Sequence, residues 1–401
     1  MKYIVVLGDG MADYRKGPLG FHTPLDLAKK PNMDRLAKLG TVGLIKTVDN
    51  GMKPGSDVAN LSVLGYDPTT CYTGRSPLEA LSLRIPMTEN DTVFRVNWVT
   101  LSDSEDGSIL TRKMADYSAG EISSAEGKIL MEAVSEELGS DRMQFFPGVS
   151  YRNCAILRNE GADVEFTPPH DISGKVIGEY LPKGKDGDFF TSLIERSITV
   201  LENHPVNIER AKNGKNKANA IWFWGKGTKP MLPDFKEKYG LKGAMISAVD
   251  LLKGIAVGAG LDVIEVEGAT GTLSTNFAGK AKACVEALKD HDYVYLHMEA
   301  PDECGHQGDA EGKIKSVEKV DEVVGYIVNE LDKQKEEYCI AVLPDHATPL
   351  CLRTHVSDPI PYLVYNSLRP KNCGLIYNEE EAQKGLYLDN GRALIQLMLK
   401  S

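Results

Sequence analysis

The first ten residues read MKYIVVLGDG, and the run at 3–7 is continuously apolar before it breaks into Gly8-Asp9-Gly10. A strand covered on both faces reads this way, without the apolar–polar alternation of a half-exposed strand. The pattern recurs along the chain. Residues 220–224 run into Gly-Lys-Gly, 262–266 into Glu-Gly-Ala-Thr-Gly, 293–297 into a charged loop, and 339–343 into Pro344-Asp345-His346. Residues 44–48 read as one more core strand. Between these runs, residues 247–258 and 314–331 carry apolar side chains at three- and four-residue spacing, the period of a helix with one buried face. The alternation predicts an α/β fold with a mainly parallel sheet flanked by helices. In such sheets the functional site lies at the carboxyl ends of the strands.

The middle of the chain reads differently. Phe94-Arg95-Val96-Asn97-Trp98-Val99 alternates in the manner of a mixed or antiparallel sheet. The polar stretch 212–217 resembles a linker. The expected organisation is a core domain at 1–88 and 216–401, with a smaller α+β domain inserted at 89–215.

Composition narrows the function. Hydrophobic residues make up 42% and charged residues 26% of 401, which excludes global disorder. Lys plus Arg is 46 against 57 Asp plus Glu, a net charge of −11. That disfavours a nucleic-acid partner, while a local basic pocket for a small anion remains compatible with it. No stretch approaches the ~18 apolar residues of a membrane span. The opening apolar run is too short for a signal peptide. The seven cysteines are scattered without a CxxC pair, and read as reduced thiols of a cytoplasmic protein.

Hard-ligand residues gather where the strands end. Asp9 follows the first run, Asp302 and His306 lie in APDECGH, Asp345 and His346 in PDHATP, and His355 comes nine positions later. Taken singly, each reads as a cap, a turn or solvated surface. Together, three carboxylates and three imidazoles on one rim suit one or two divalent cations such as Zn, Mn, Co or Fe. Asp302 and His306 are four apart, so a helix would present both on one face. Ser56, in Pro54-Gly55-Ser56-Asp57, stands just before an apolar helical pattern, where a serine ordinarily caps. The same position beside a bound metal makes its hydroxyl a nucleophile suited to a phosphoryl group.

VVLGDGMAD, KPGSDVANLSVLGYDP, YTGRSPLEA, FPGVSYRN, TPPHDI, VEGATG, PDECGHQGD and PDHATP together resemble the archaeal-type, 2,3-bisphosphoglycerate-independent phosphoglycerate mutases of the alkaline phosphatase superfamily. The resemblance runs from the first strand to the C-terminus. It implies that Ser56 is the phosphorylated nucleophile, that Asp9, Ser56, Asp345 and His346 hold one metal, and that Asp302, His306 and His355 hold the other. It further implies two divalent ions (Mn, Mg, Co or Zn), no need for 2,3-bisphosphoglycerate, and a cytoplasmic isomerase of glycolysis and gluconeogenesis. That enzyme would interconvert 3- and 2-phosphoglycerate through a phosphoserine, under an inserted domain that excludes water.

For this small phosphorylated hydroxy acid, Arg112, Arg152 and His170 are candidate contacts from the insert, and Arg75 and Lys226 from the core domain. The alternative for each is an ordinary surface ion pair or turn. Two positions depart from many relatives. Asp116-Tyr117, with Glu121 following, stands where they carry Asp-Arg and a second Arg, and Asn60 stands where they often carry His. Loss of basic residues bears on the acceptor, so a related phosphotransferase or phosphatase, for example one resembling a homoserine kinase, is the alternative. No Walker A loop is present. Trp98, Trp222 and Trp224 read as packing residues. His22, His204 and His291 have no partner motif, and His297, in the strand before Asp302, reads as a core histidine, the alternative being a residue that supports a metal ligand from behind.

Overall fold

The computed structural model describes residues 1–104 and 106–401. The chain forms two compact units, Met1–Tyr72 with Met231–Ser401, and Thr73–Pro230. Its strands, in chain order, are β1 (Lys2–Gly8), β2 (Thr41–Ile45), β3 (Thr92–Leu101), β4 (Met114–Asp116), β5 (Met143–Val149), β6 (Arg152–Leu157), β7 (Ala220–Thr228), β8 (Gly243–Ile246), β9 (Asp262–Val263), β10 (Tyr293–Met298), β11 (Tyr338–Leu343) and β12 (Ile360–Asn366). Among the described residues, no helix is long and apolar enough to cross a membrane.

The first unit holds a seven-stranded sheet in the order β2-β12-β11-β1-β10-β8-β9. β1 lies between β10 and β11 and is parallel to both, with Tyr3 opposite Tyr293 and Leu7 opposite Leu343. β8 and β9 extend the parallel part, while β12 runs antiparallel to β11 and to β2. Every residue of β10 and β11 is buried, as their unbroken apolar runs predict. The helix Ala310–Gln334 covers one face. Its buried Val317, Val320, Val324, Ile327, Val328 and Leu331 share a core with Ile4, Val6, Ile340 and Val342. Each such side chain contributes roughly 1.5–3 kcal/mol by leaving water. Asp309 caps this helix through the Gly312 N–H.

The second unit holds a five-stranded antiparallel sheet. β3 is central, with β6 and then β5 on one side, β7 on the other, and β4 paired to its end. β3 does not show the expected half-exposed alternation: it is buried along its length except at Arg95 and Thr100, which are half-buried, because the helix Arg75–Ser82 also packs on this sheet. Phe94, Val96 and Trp98 face a core completed by the helices Ser124–Leu138 and Gly187–Leu201. Arg95 faces the other way, toward Glu79 on the helix Arg75–Ser82.

Three further expectations change here. Residues 220–224 do not join the parallel sheet but form β7, antiparallel to β3. A continuous apolar run reports cover on both faces, and this small sheet has such cover too. The second unit is also wider than 89–215. It takes in β7 at one end and, at the other, the helix Arg75–Ser82, which packs on the sheet. Residues 212–217 are not a linker between units. Asn216 accepts from Arg210 Nε through its carbonyl and donates to Asp116, and Lys217 pairs with Glu202, so the stretch is tied inside the second unit.

Candidate active site

β1, β10 and β11 are adjacent and parallel, so the residues that follow them share a rim. Asp9 comes directly after β1, and Asp345 and His346 follow β11. The helix Ala300–Gln307 begins just after β10 and carries Asp302 and His306 on one face, with His306 Nε2 3.2 Å from Asp302 Oδ2. The turn after β1 requires glycine at position 10. Its φ is +61°, and a Cβ there would lie 2.5 Å from Asp302 Oδ1. His355 completes the rim, with Nε2 2.8 Å from His306 Nε2 and its ring stacked on His346 at 3.9 Å.

Two triads result, Asp9–Asp345–His346 and Asp302–His346–His355, in each of which the ligand atoms lie within 4.8 Å of one another. His346 belongs to both. Ser56 is the first residue of the helix Ser56–Val63, and its side chain makes no capping bond. Its hydroxyl lies instead 3.4 Å from Asp9 Oδ2 and 3.3 Å from His346 Nε2. All seven residues expected at a metal centre therefore meet in the first unit.

Their electrostatics fit a cation. Asp9 and Asp345 are buried. Burial, then the charges of Asp345 and Asp302, push the Asp9 carboxyl well above its ordinary range. Asp9 Oδ1 is buried and accepts no hydrogen bond among the described residues. Burial also works to raise Asp302, but hydrogen bonds from His306 and His355 and the charge of His346 hold it low. Crowded buried carboxylates are costly unless a positive group compensates them.

The imidazoles present suitable lone pairs. His306 Nδ1 faces the Arg353 carbonyl at 3.0 Å, which puts a proton on Nδ1 and leaves Nε2 for a ligand. Asp302 beside it pushes His306 up to about 9, so a proton and a cation compete for Nε2. The Thr348 hydroxyl donates to Asp302 Oδ1 and lies 3.3 Å from His346 Nδ1. That bond fixes the His346 proton on Nδ1 and frees its Nε2.

His297 is more than a core histidine. Burial pushes it down to about 3, so it is neutral. Its Nε2 donates to Asp9 Oδ2 at 2.9 Å, and its Nδ1 accepts from Ser247 Oγ at 3.2 Å. The signal was visible as one polar residue inside the apolar strand YVYLHM.

The five candidate substrate contacts all lie in the second unit, including Arg75 and Lys226, which the sequence assigned to the core. The structure divides them. Lys226 Nζ donates to the Ala162 and Val164 carbonyls, and Arg112 donates to the Ser102 carbonyl. Arg75 pairs with Glu79 at 3.3 Å, Arg152 lies over Tyr151, and His170 sits edge-on to Trp224 at 5.2 Å.

Sequence reasoning missed Arg95, which joins this group. It pairs with Glu79 at 2.8 Å and lies 4.2 Å over the Trp224 ring. Burial lowers its pKa; Glu79 opposes that shift, and the nearby charges of Arg75 and Arg152 add to it. Trp224 is accordingly part of a basic aromatic face, not only packing. Tyr117 turns its ring toward Tyr151 and His170. Asp116 is occupied by the Ser118 and Gly120 N–H groups and Asn216.

A family model described as 2,3-bisphosphoglycerate-independent phosphoglycerate mutase matches residues 37–207. Another, described as Type I phosphodiesterase / nucleotide pyrophosphatase, matches residues 176–360. A 2,3-bisphosphoglycerate-independent phosphoglycerate mutase of Methanosarcina barkeri is 50% identical over 405 residues, covering all of both chains. A probable one of Geobacter sulfurreducens is 50% identical over 402 residues, again covering all of both. Among solved structures, a Pyrococcus horikoshii protein superposes with a TM-score of 0.81 at 31% identity, covering all of this chain and 96% of that one. A cofactor-independent phosphoglycerate mutase from Thermoplasma acidophilum shares the fold, with a TM-score of 0.71 at 24% identity and 100% and 99% coverage. The matching family models place the chain in a class of enzymes that act on phosphoryl compounds. Within it, the chain belongs to the 2,3-bisphosphoglycerate-independent phosphoglycerate mutase family.

Proposed function

We propose that this enzyme interconverts 3-phosphoglycerate and 2-phosphoglycerate through a phosphoserine at Ser56, beside two divalent cations held by Asp9, Ser56, Asp345 and His346 and by Asp302, His306 and His355. The observation that carries the reading is the Ser56 hydroxyl. It does not cap its helix but lies between Asp9 and His346, against both triads. Cations bound there would ease loss of the hydroxyl proton and neutralise phosphoryl charge. The mixed carboxylate, imidazole and hydroxyl set suits Mn, Co, Zn or Mg.

Ser56 Oγ attacks phosphorus, so that the Oγ–P bond forms as the bond from phosphorus to O3 breaks, and the serine proton passes in net to O3. The 2-hydroxyl of the retained glycerate then attacks the same phosphorus. The O2–P bond forms, the P–Oγ bond breaks, and the proton returns to Ser56. Because the phosphoryl group comes from the substrate, no 2,3-bisphosphoglycerate is consumed. Asp9 is oriented for this by His297, and Asp302 by Thr348.

Arg95, Arg152, Arg75 and His170, all on the second unit, are the proposed contacts of the acid. The reaction belongs to glycolysis and gluconeogenesis, in the cytoplasm.

An enolase-coupled assay with Mn(II) tests this reading. The enzyme is expected to form 2-phosphoglycerate without releasing inorganic phosphate, and Ser56→Ala to lose at least about 10⁴-fold in kcat. Retained activity in Ser56→Ala overturns the covalent route. Phosphate release, or ATP-dependent phosphorylation of homoserine in place of mutase activity, overturns the assigned reaction.

A further inference from the structure

We propose that Asn60 is a positioning residue that ties the nucleophile's helix to Asp345, with Tyr295 setting its orientation. The Asn60 side chain has four hydrogen-bonding positions, and the structure fills three with geometry that admits one orientation. Nδ2 donates to the Ser56 carbonyl at 2.8 Å and to Asp345 Oδ2 at 2.9 Å. Oδ1 accepts from the Tyr295 hydroxyl at 2.6 Å. All three side chains, Asn60, Tyr295 and Asp345, are fully buried. Flipping the amide would set Oδ1 against a carbonyl and a carboxylate and leave buried polar groups unpaired. Burial holds the Tyr295 phenol far above its ordinary range, so it remains a donor.

The bonds join pieces of chain that are otherwise remote. Asp345 Oδ1 accepts from the Gly10 and His346 N–H groups, which fixes that oxygen to the loops after β1 and β11. Asn60 adds the other oxygen and, through the Ser56 carbonyl, the first turn of the nucleophile's helix. Ser56 and Asp345 are thereby linked through a single buried side chain. The sequence flagged Asn60 as a lost basic residue with consequences for the acceptor. The structure buries it in the first unit with its bonds committed to the Ser56 carbonyl, Asp345 and Tyr295, so its neutral amide bears on the placement of Ser56 and Asp345.

The proposal rests on Ser56 being the nucleophile and Asp345 a metal ligand. The test compares the full-length enzyme with Asn60→Ala and Tyr295→Phe. Mn(II) binding is measured by calorimetry after chelator treatment, phosphoserine by mass spectrometry after rapid quenching, and kcat and KM by the coupled assay. Partners that orient metal ligands typically matter 10–100-fold. Asn60→Ala is expected to weaken Mn(II) binding and lower kcat by about that factor, with KM for 3-phosphoglycerate changed less than about twofold. Tyr295→Phe, which removes one hydroxyl, is expected to follow the same pattern at roughly three- to tenfold, and it decides the matter if Asn60→Ala does not fold. Wild-type Mn(II) affinity and kcat in the folded variants, or a loss confined to KM, overturns the proposal. Absence of phosphoserine from the wild type overturns the assigned nucleophile instead, while the calorimetry still reads the tie to Asp345.

Discussion

The rim of the first unit and the basic face of the second are built in opposite ways. On the rim, like charges are concentrated and buried, and nearly every polar atom has an assigned partner. Asp345 is held by Gly10, His346 and Asn60, Asp302 by Thr348, and Asp9 by His297, with one Asp9 oxygen left over. On the basic face, Arg95 and Arg152 lie over aromatic rings, and Arg95 and Arg75 share one carboxylate, Glu79. The first arrangement resists relaxation and suits chemistry in which a phosphorus atom must be placed closely. The second can add affinity for an anion without fixing reacting atoms. Damage to the rim should therefore appear in kcat and metal binding, and damage to the basic face in KM.

Metal removal is the strongest way to break this comparison. Stripping the enzyme with EDTA is expected to lower kcat by more than about 10³-fold, with recovery on adding Mn, Co or Mg. Indifference to chelation in the coupled assay would leave the rim a structural cluster and remove its contrast with the second unit.

Arg95→Met sharpens the comparison from the other side. A charged hydrogen bond is worth about 1.5–3 kcal/mol, so KM for 3-phosphoglycerate should rise roughly 10–100-fold. Both kcat and the Mn(II) isotherm should stay within about threefold. A fall in kcat with KM unchanged would mean that the two regions do not divide the labour in this way.

The same contrast explains what the sequence reveals. Asp9, Asp302, Asp345 and His346 lie within a few residues of unbroken apolar strands, so a local pattern points to each, and parallel pairing brings them together. Ser56 is legible because it precedes a helix. His297 and Asn60 are harder to read, because a buried polar side chain looks like core until its partners, Asp9 and Asp345, are placed by strands hundreds of positions away. Arg95 is hidden because one charged residue in an apolar strand reads as its exposed face, whereas the structure half-buries it against Glu79 and Trp224. β7 was assigned to the wrong sheet because local hydrophobicity carries no pairing partner. Only the register against β3 distinguishes it.

Burial of His297 beside Asp9 makes a prediction in stability rather than in catalysis. Burial lowers His297 to about 3, below the ~6.5 of an unfolded chain. Between these values the unfolded state takes up a proton that the native state does not. Native stability should therefore fall as pH drops from about 6.5 toward about 3, by at most about 1.4 kcal/mol per pH unit from this group. Urea unfolding of the metal-free enzyme and of His297→Gln across that range measures it. If the two lose stability in parallel, His297 is not the source of the acid limb.

The smallest effects are expected at Lys226 and Arg112, and they test the comparison where it is most easily mistaken. Both are cations on the second unit, so charge alone would place them on the basic face. Their hydrogen bonds place them elsewhere, on the carbonyls of Ala162 and Val164 and of Ser102. A cation committed to carbonyls that bridge loops holds the unit together, and withdrawing it for a ligand would leave those carbonyls to water. Lys226→Met and Arg112→Met should therefore lower stability by about 1 kcal/mol each and change KM by less than about twofold. Thermal unfolding and the coupled assay separate the two readouts. A KM increase matching that of Arg95→Met would show that these carbonyl bonds yield to the substrate, and that the basic face reaches further across the second unit than its pairings in the free enzyme indicate.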